Sequence, residues 1–138
     1  MLAERLADNM ELSLEAEPTA AGRARRALAG TGLVDSAQEP TLLLLVSELV
    51  SNSVRHAGLT EAERIRLRCR ALQECARVEV CDGGHSGRSP RMRERDCEAL
   101  EPGGLGLHLV DAMADRWGVA RGAGQTCVWF ELDCAEAA

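Results

Sequence analysis

The chain contains no lysine; all 16 of its basic residues are arginine. That absence excludes a P-loop and the lysine–glutamate pair of eukaryotic-type protein kinases. Tyrosine is also missing, Phe130 and Ile65 are the single representatives of their types, and asparagine occurs only as Asn9 and Asn52. Such a bias resembles that of a high-GC bacterial coding sequence. There is no apolar run near the length of a helical membrane span, so no membrane association is expected. The first ten residues carry Glu4, Arg5 and Asp8 in place of the apolar core of an export signal, which predicts a cytoplasmic location. A basic excess is lacking too: the net charge is −6, opposite to the footprint of a nucleic-acid binder, so no direct nucleic-acid contact is expected. The six cysteines include no C-x-x-C pair, and His56, His85 and His108 do not join them at zinc-ligand spacing. A disulfide framework belongs to small secreted proteins. Cys69, Cys75, Cys81, Cys97, Cys127 and Cys134 are therefore expected to be free thiols.

What is present is ordinary globular material. The 138 residues are 46% hydrophobic and 28% charged, enough for one domain that buries about 68–70% of its unfolded surface without a metal or disulfide staple. A single domain over 1–138, with its core at about 10–133, is expected. Met10–Glu17 alternates apolar and acidic residues and predicts a half-buried strand. Pro18 opens a helix to about Ala29, with Gly30 and Gly32 near its stop. Ser36–Gly58 predicts one long helix, with Leu42, Leu45, Val46, Leu49, Val50 and Val54 at helical spacing. Arg64–Leu72 and Ala76–Cys81 predict strands. In the first of these Arg64, Arg66, Arg68 and Arg70 face one way and Ile65, Leu67 and Cys69 the other. A solvated sheet face explains that arginine row better than a nucleic-acid patch. Gly83–Gly104 lacks regular patterning and predicts a lid. A helix follows from Gly104 to about Trp117, then short strands at Trp117–Ala120 and Thr126–Leu132. Strands joined by short turns and grouped helices predict a two-layer α/β sandwich with a mostly antiparallel mixed sheet.

Candidate functional residues lie in four places. Glu48 and Asn52 are four apart on the long helix, which stacks them on one face. They form either a plain surface stripe or a carboxylate beside an amide oxygen that holds Mg²⁺, an ion that needs few protein oxygens when phosphate and water complete its shell. Asp82 ends an apolar strand and precedes Gly83 and Gly84. It is a turn residue or a hydrogen-bond acceptor for an adenine amino group. Gly103, Gly104 and Gly106 open a helix, as a hinge or as a phosphate cradle. Arg88, Arg91, Arg93 and Arg95 stand in the lid, either solvated or reaching phosphate. His56, one turn beyond Asn52, is a cation at the helix C-terminus or an accessory to the same site.

The order of these segments is more specific than any one of them. Glu48-Leu-Val-Ser-Asn52 on a helix, Asp82-Gly-Gly84 after a strand, a lid, and Gly104-Leu-Gly106 opening a helix together resemble the nucleotide-binding boxes of the gyrase, chaperone, histidine-kinase and mismatch-repair ATPase superfamily. The phrases SELVSNSVRHA, GLGLHLVDAMADRWGV and GQTCVWFEL are most similar to the small bacterial anti-sigma factor serine kinases, over about Leu12 to Asp133. The resemblance implies a Bergerat-type ATP-binding fold and Mg-ATP as cofactor. It implies that Asn52 coordinates Mg²⁺, Asp82 binds the adenine amino group, Gly84 allows close approach, Gly104 and Gly106 cradle phosphate, and Thr126 supports the adenine site. Glu48 would be the general base for a serine of an anti-anti-sigma protein, with a sigma factor as the regulated partner and a homodimer as the possible assembly. Relatives often carry an arginine in the glycine box; here Pro102 and Leu105 stand there, so stabilisation of phosphate charge must come from a lid arginine or be weak. The alternative is a non-catalytic, nucleotide-dependent protein-binding module. The catalytic half of a histidine kinase is a third reading; it requires a dimerisation helix pair that the chain does not show.

Overall fold

The computed structural model describes residues 9–56, 64–82, 105–122 and 124–134. Five strands, β1 (Asn9–Glu15), β2 (Arg64–Ala71), β3 (Cys75–Asp82), β4 (Arg116–Gly122) and β5 (Gln125–Asp133), form one sheet in the order β1-β2-β3-β5-β4. Every pairing between them is antiparallel. Three helices, α1 (Ala20–Leu28), α2 (Glu39–His56) and α3 (Leu105–Met113), make the second layer. The two-layer α/β sandwich expected from the pattern is the observed architecture, with a sheet that is wholly antiparallel among the described strands.

Alternation decides which face of the sheet meets the helices. In β2, Ile65, Leu67 and Cys69 are buried while Arg64, Arg66, Arg68 and Arg70 are exposed. From β3 and β5, Ala76, Val78, Val80, Phe130 and Leu132 point to the same inner face. The stripe Leu42, Leu45, Val46, Leu49 and Val50 of α2 is buried against them, with Ala20, Ala24 and Leu28 of α1 and Val110 of α3 closing the core. α2 is the central helix of its layer, packing on α1, α3 and β3. The turn between α1 and α2 is fixed locally. Gly30 takes a left-handed φ of 79° after the last turn of α1, and its N–H donates to the Glu39 carboxylate at 2.8 Å. Glycine is the residue that adopts this conformation without steric cost.

Several element boundaries differ from expectation, most of all at the third helix. The third helix stops at Met113 instead of near Trp117, because Trp117 belongs to β4 and sits opposite Phe130. Its indole Nε1–H donates to the Asp111 carboxylate at 2.9 Å, which ties the strand back to the helix. β4 and β5 are each longer than the pattern suggested and run into a tight hairpin at Gly124, where φ is 77°.

The outer face of the sheet carries a continuous row of ion pairs. Glu11 of β1 meets Arg68 of β2 at 3.5 Å, and Arg68 meets Glu79 of β3 at 3.1 Å. Arg77 then bridges Glu79 at 3.3 Å and Glu131 of β5 at 2.9 Å. Arg116 of β4 closes the row on Glu131 at 2.7 Å and on Asp133. The row crosses all five strands and pairs Arg68, Arg77 and Arg116 with acids of their own and neighbouring strands. Trp129 lies flat within it. The Arg77 guanidinium stacks 4.2 Å from its ring centroid, and Gly118 leaves the space beneath, since a Cβ there would come within 2.9 Å of the indole.

Glu131 is the most shielded acid of the row, at 15% side-chain exposure. The hydrogen bond from Arg116 above all, and then that from Arg77, hold its carboxyl below the ordinary value of 4.5 against the opposing effect of partial burial. A carboxyl that is a stronger acid in the folded state contributes stability that is present above the unfolded pKa and lost as pH falls through the folded one. Glu131→Gln is expected to cost about 1 kcal/mol near neutral pH. Urea unfolding followed from about pH 6 down to about pH 3 should show a shallower acid loss in the variant than in the wild type. Parallel curves for the two proteins would remove Glu131 from the acid response.

Candidate functional site

α2 positions the first group of candidates through its own core stripe. Once Leu45, Leu49 and Val50 are committed to the interior, helical spacing places Glu48 and Asn52 along the flank of that stripe, about 6 Å apart along the axis. Both are half-buried. Arg55 extends the same row by a further turn, and its guanidinium donates to the Asn52 side-chain oxygen at 3.4 Å. Glu48, Asn52 and Arg55 thus form an acid–amide–cation row on one helix face. Arg55 was not among the residues singled out from the sequence. The signal that could have found it is its i+3 position after Asn52.

The second group comes from the sheet. Asp82 is the last residue of β3 and lies opposite Thr126 of β5. The pair continues the inward-facing register of Val78↔Phe130 and Val80↔Val128 by one more step, so a carboxylate and a hydroxyl terminate the apolar inner face where it runs out. Asp82 is half-buried, as is Thr126. α2 packs on β3. Of the glycine positions, Gly106 lies in the first turn of α3, where backbone N–H groups without helical partners favour an anion. Gly84, Gly104, Pro102 and the lid arginines Arg88, Arg91, Arg93 and Arg95 lie outside the described residues. His56 is the last residue of α2.

One expectation is overturned. Cys81 and Cys127 are joined by a disulfide with an S–S distance of 2.03 Å, across 46 residues of sequence. The register explains it: the two residues sit directly opposite on β3 and β5 and face outward, one position from the Asp82–Thr126 pair. Cys69 and Cys75 are buried free thiols and Cys134 an exposed one; Cys97 lies outside the described residues. Burial pushes the Cys69 thiol up to about 12, so it stays protonated at neutral pH.

The sequence profile of the histidine kinase-like ATPase domain matches residues 10–132, and the chain belongs to that family. Within it, the chain is similar to the anti-sigma factor serine kinases. It is 28% identical to the serine-protein kinase RsbW of Bacillus licheniformis, over 89% of this chain and 84% of that protein. Two solved structures share the fold. One contains the RsbU and RsbW domains of Rv1364c from Mycobacterium tuberculosis, with a TM-score of 0.64 and 19% identity over 90% of this chain. The other is the histidine kinase domain of the Erythrobacter litoralis EL346 blue-light activated histidine kinase, with a TM-score of 0.55 and 24% identity over 83% of this chain. The chain spans 31% of the mycobacterial protein and 59% of the Erythrobacter one. ATP binding follows at the level of the family. Among the described residues no helix is long and apolar enough to cross a membrane.

The disulfide closes a long loop in the unfolded chain, so opening it should lower stability by roughly 2–4 kcal/mol. Thermal unfolding with and without a reductant is the check. An unchanged midpoint, with the bond shown to be open by thiol counting, would deny it a stabilising role.

Proposed function

We propose that the chain is a single ATP-binding regulatory domain that phosphorylates a serine of an anti-anti-sigma partner and so controls a sigma factor in the cytoplasm. The observation that carries this reading is the Glu48–Asn52–Arg55 row, a proton acceptor, a metal ligand and a cation set one turn apart beside the core. The donor set fits a magnesium nucleotide. Among the described residues no group of three or more His, Cys, Asp or Glu converges on a metal position. A cation at Asn52 therefore draws its other ligands from phosphate and water, as Mg²⁺ prefers. When bound, Mg-ATP supplies the phosphoryl group and the charge that organises it.

The chain's own residues have distinct tasks in this reading. Asp82 accepts a hydrogen bond from the adenine amino group, and Thr126, opposite it, supports the base through its hydroxyl. Gly84 lets the base approach the backbone. Asn52 would give its side-chain oxygen to Mg²⁺ in place of the Arg55 guanidinium that it accepts from here, and Gly104 and Gly106 would present N–H groups to phosphate. Arg55 supplies the positive charge that Pro102 and Leu105 of the glycine box cannot, a large contribution in phosphoryl transfer. Glu48 orients the serine hydroxyl of the partner and takes its proton. A homodimer would pair through an edge of the sheet, β1 or β4, or through α2.

Calorimetric titration with Mg-ATP and Mg-ADP tests the nucleotide site. Asp82→Asn should weaken binding by roughly ten-fold or more, the value of a hydrogen bond to a charged group. Glu48→Ala should bind within about two-fold of wild type yet lose on the order of 100-fold in transfer to a partner serine. Undiminished transfer by that variant would sink Glu48 as the base. The second reading, a nucleotide-dependent binding module without transfer, is favoured by Pro102 and Leu105. A phosphate-sized mass increase on a partner serine decides against it.

A further inference from the structure

The cysteine pair stands at an unusual place in the sheet. β3 and β5 are tied on the outer face at two points. At one end the tie is electrostatic: Arg77 of β3, stacked on the indole of Trp129, pairs with Glu131 of β5 and with Glu79 of its own strand. At the other end it is covalent, through Cys81 and Cys127. The covalent end is also the end where Asp82 and Thr126 face inward, one register position away. The β4 residues that flank β5 there are Ala120, opposite Cys127, and Gly122, opposite Gln125. These are small, and a Cβ built on Gly122 would meet no atom within 4 Å. On the outer face these two β4 positions offer little side-chain packing to the start of β5.

We infer that the Cys81–Cys127 disulfide is a redox switch on nucleotide affinity. Closed, it clamps the ends of β3 and β5 and holds the Asp82–Thr126 pair in the spacing that receives adenine. Opened, it lets the strand ends part and weakens binding. The inference rests on the nucleotide reading of Asp82 and Thr126 given above.

The chemistry is thiol–disulfide exchange with a small thiol of the glutathione type as the reductant. Cys127 is half-buried and Cys81 only 8% exposed, so the incoming thiolate attacks the Cys127 sulfur. The bond between the two protein sulfurs breaks, and Cys81 leaves as a thiolate and takes up a proton. A second small thiolate then attacks the sulfur of the first, forming the small-molecule disulfide and releasing Cys127 as a thiolate that takes up a proton. The balance is one protein disulfide and two thiols converted to two protein thiols and one small-molecule disulfide, and the reverse closes the switch. Cys69, Cys75 and Cys134 are free in the structure and take no part.

The test uses the full chain equilibrated in oxidised and in reduced glutathione, with the bond state of Cys81 and Cys127 read by alkylation and peptide mass. Each form is titrated with a fluorescent ADP in the presence of Mg²⁺, and circular dichroism verifies that it is folded. The oxidised protein should bind about five-fold tighter or more, the lower range of coupling between two linked sites. The Cys81→Ser/Cys127→Ser double variant should bind as the reduced wild type does and ignore glutathione. Cys127→Ser alone, which keeps Cys81 but cannot close the bond, should behave likewise. Equal affinities for the closed and open wild type would overturn the inference while leaving the nucleotide site standing. A glutathione response that persists in the double variant would overturn it as well. Absence of binding in every form, with the bond opening and closing normally, would bring down the nucleotide reading and the switch with it.

Discussion

The register of β3 against β5 is the constraint on which the rest of the molecule depends. Val78 opposite Phe130 and Val80 opposite Val128 give α2 its apolar floor, Arg77 opposite Glu131 carries the outer ion row, and Asp82 opposite Thr126 ends the inner face. A strand has a period of two, so a slip of one residue would exchange these faces. Phe130 would turn to solvent and Glu131 inward. The burial of the single phenylalanine and the shielding of Glu131 thus hold the register from opposite sides of the sheet. The candidate site inherits its geometry from that agreement.

Much of this was legible in the sequence, and what was missed has a physical reason. The helical stripe of α2 and the alternation of β2 are local patterns, and both were readable because burial imposes the same period on neighbouring residues. The two-layer architecture followed from them. The partners of the β2 arginines were not readable, because opposing acids come from strands distant in sequence. The disulfide was missed for the same cause. Cys81 and Cys127 share no local spacing, and β5 inserts beside β3 ahead of β4, an order that a linear reading does not reveal. Helix α3 was drawn too long because Trp117 continues its apolar pattern, and only the pairing with Phe130 assigns it to the sheet.

For the site, the sequence yielded residue types and spacing, and the structure yielded relations. Glu48 and Asn52 were identifiable from a four-residue interval on an otherwise apolar helix. Arg55 was not, since an arginine near a helix end is unremarkable until its guanidinium is seen on the Asn52 oxygen. With no lysine in the chain, fixed positive charge comes from arginine alone. Arg55 is the one that the described helix face provides. The pair at the end of β3 shows the converse: Asp82 is recognisable in sequence, but its alignment with Thr126 belongs to the pairing of strands.

The outer face has one more implication, for how other molecules reach this protein. Each arginine of the ion row is shared between two carboxylates: Arg68 between Glu11 and Glu79, Arg77 between Glu79 and Glu131, Arg116 between Glu131 and Asp133. Guanidinium forks suit such sharing better than ammonium groups. Charges paired in this way cancel within a few ångströms and project little field into solvent. Encounter along the row is therefore governed by collision and shape, without the long-range attraction that accelerates association between oppositely charged surfaces. Charge-selective approach at the sheet is left to Arg66 and Arg70 of β2, exposed on the same face outside the row.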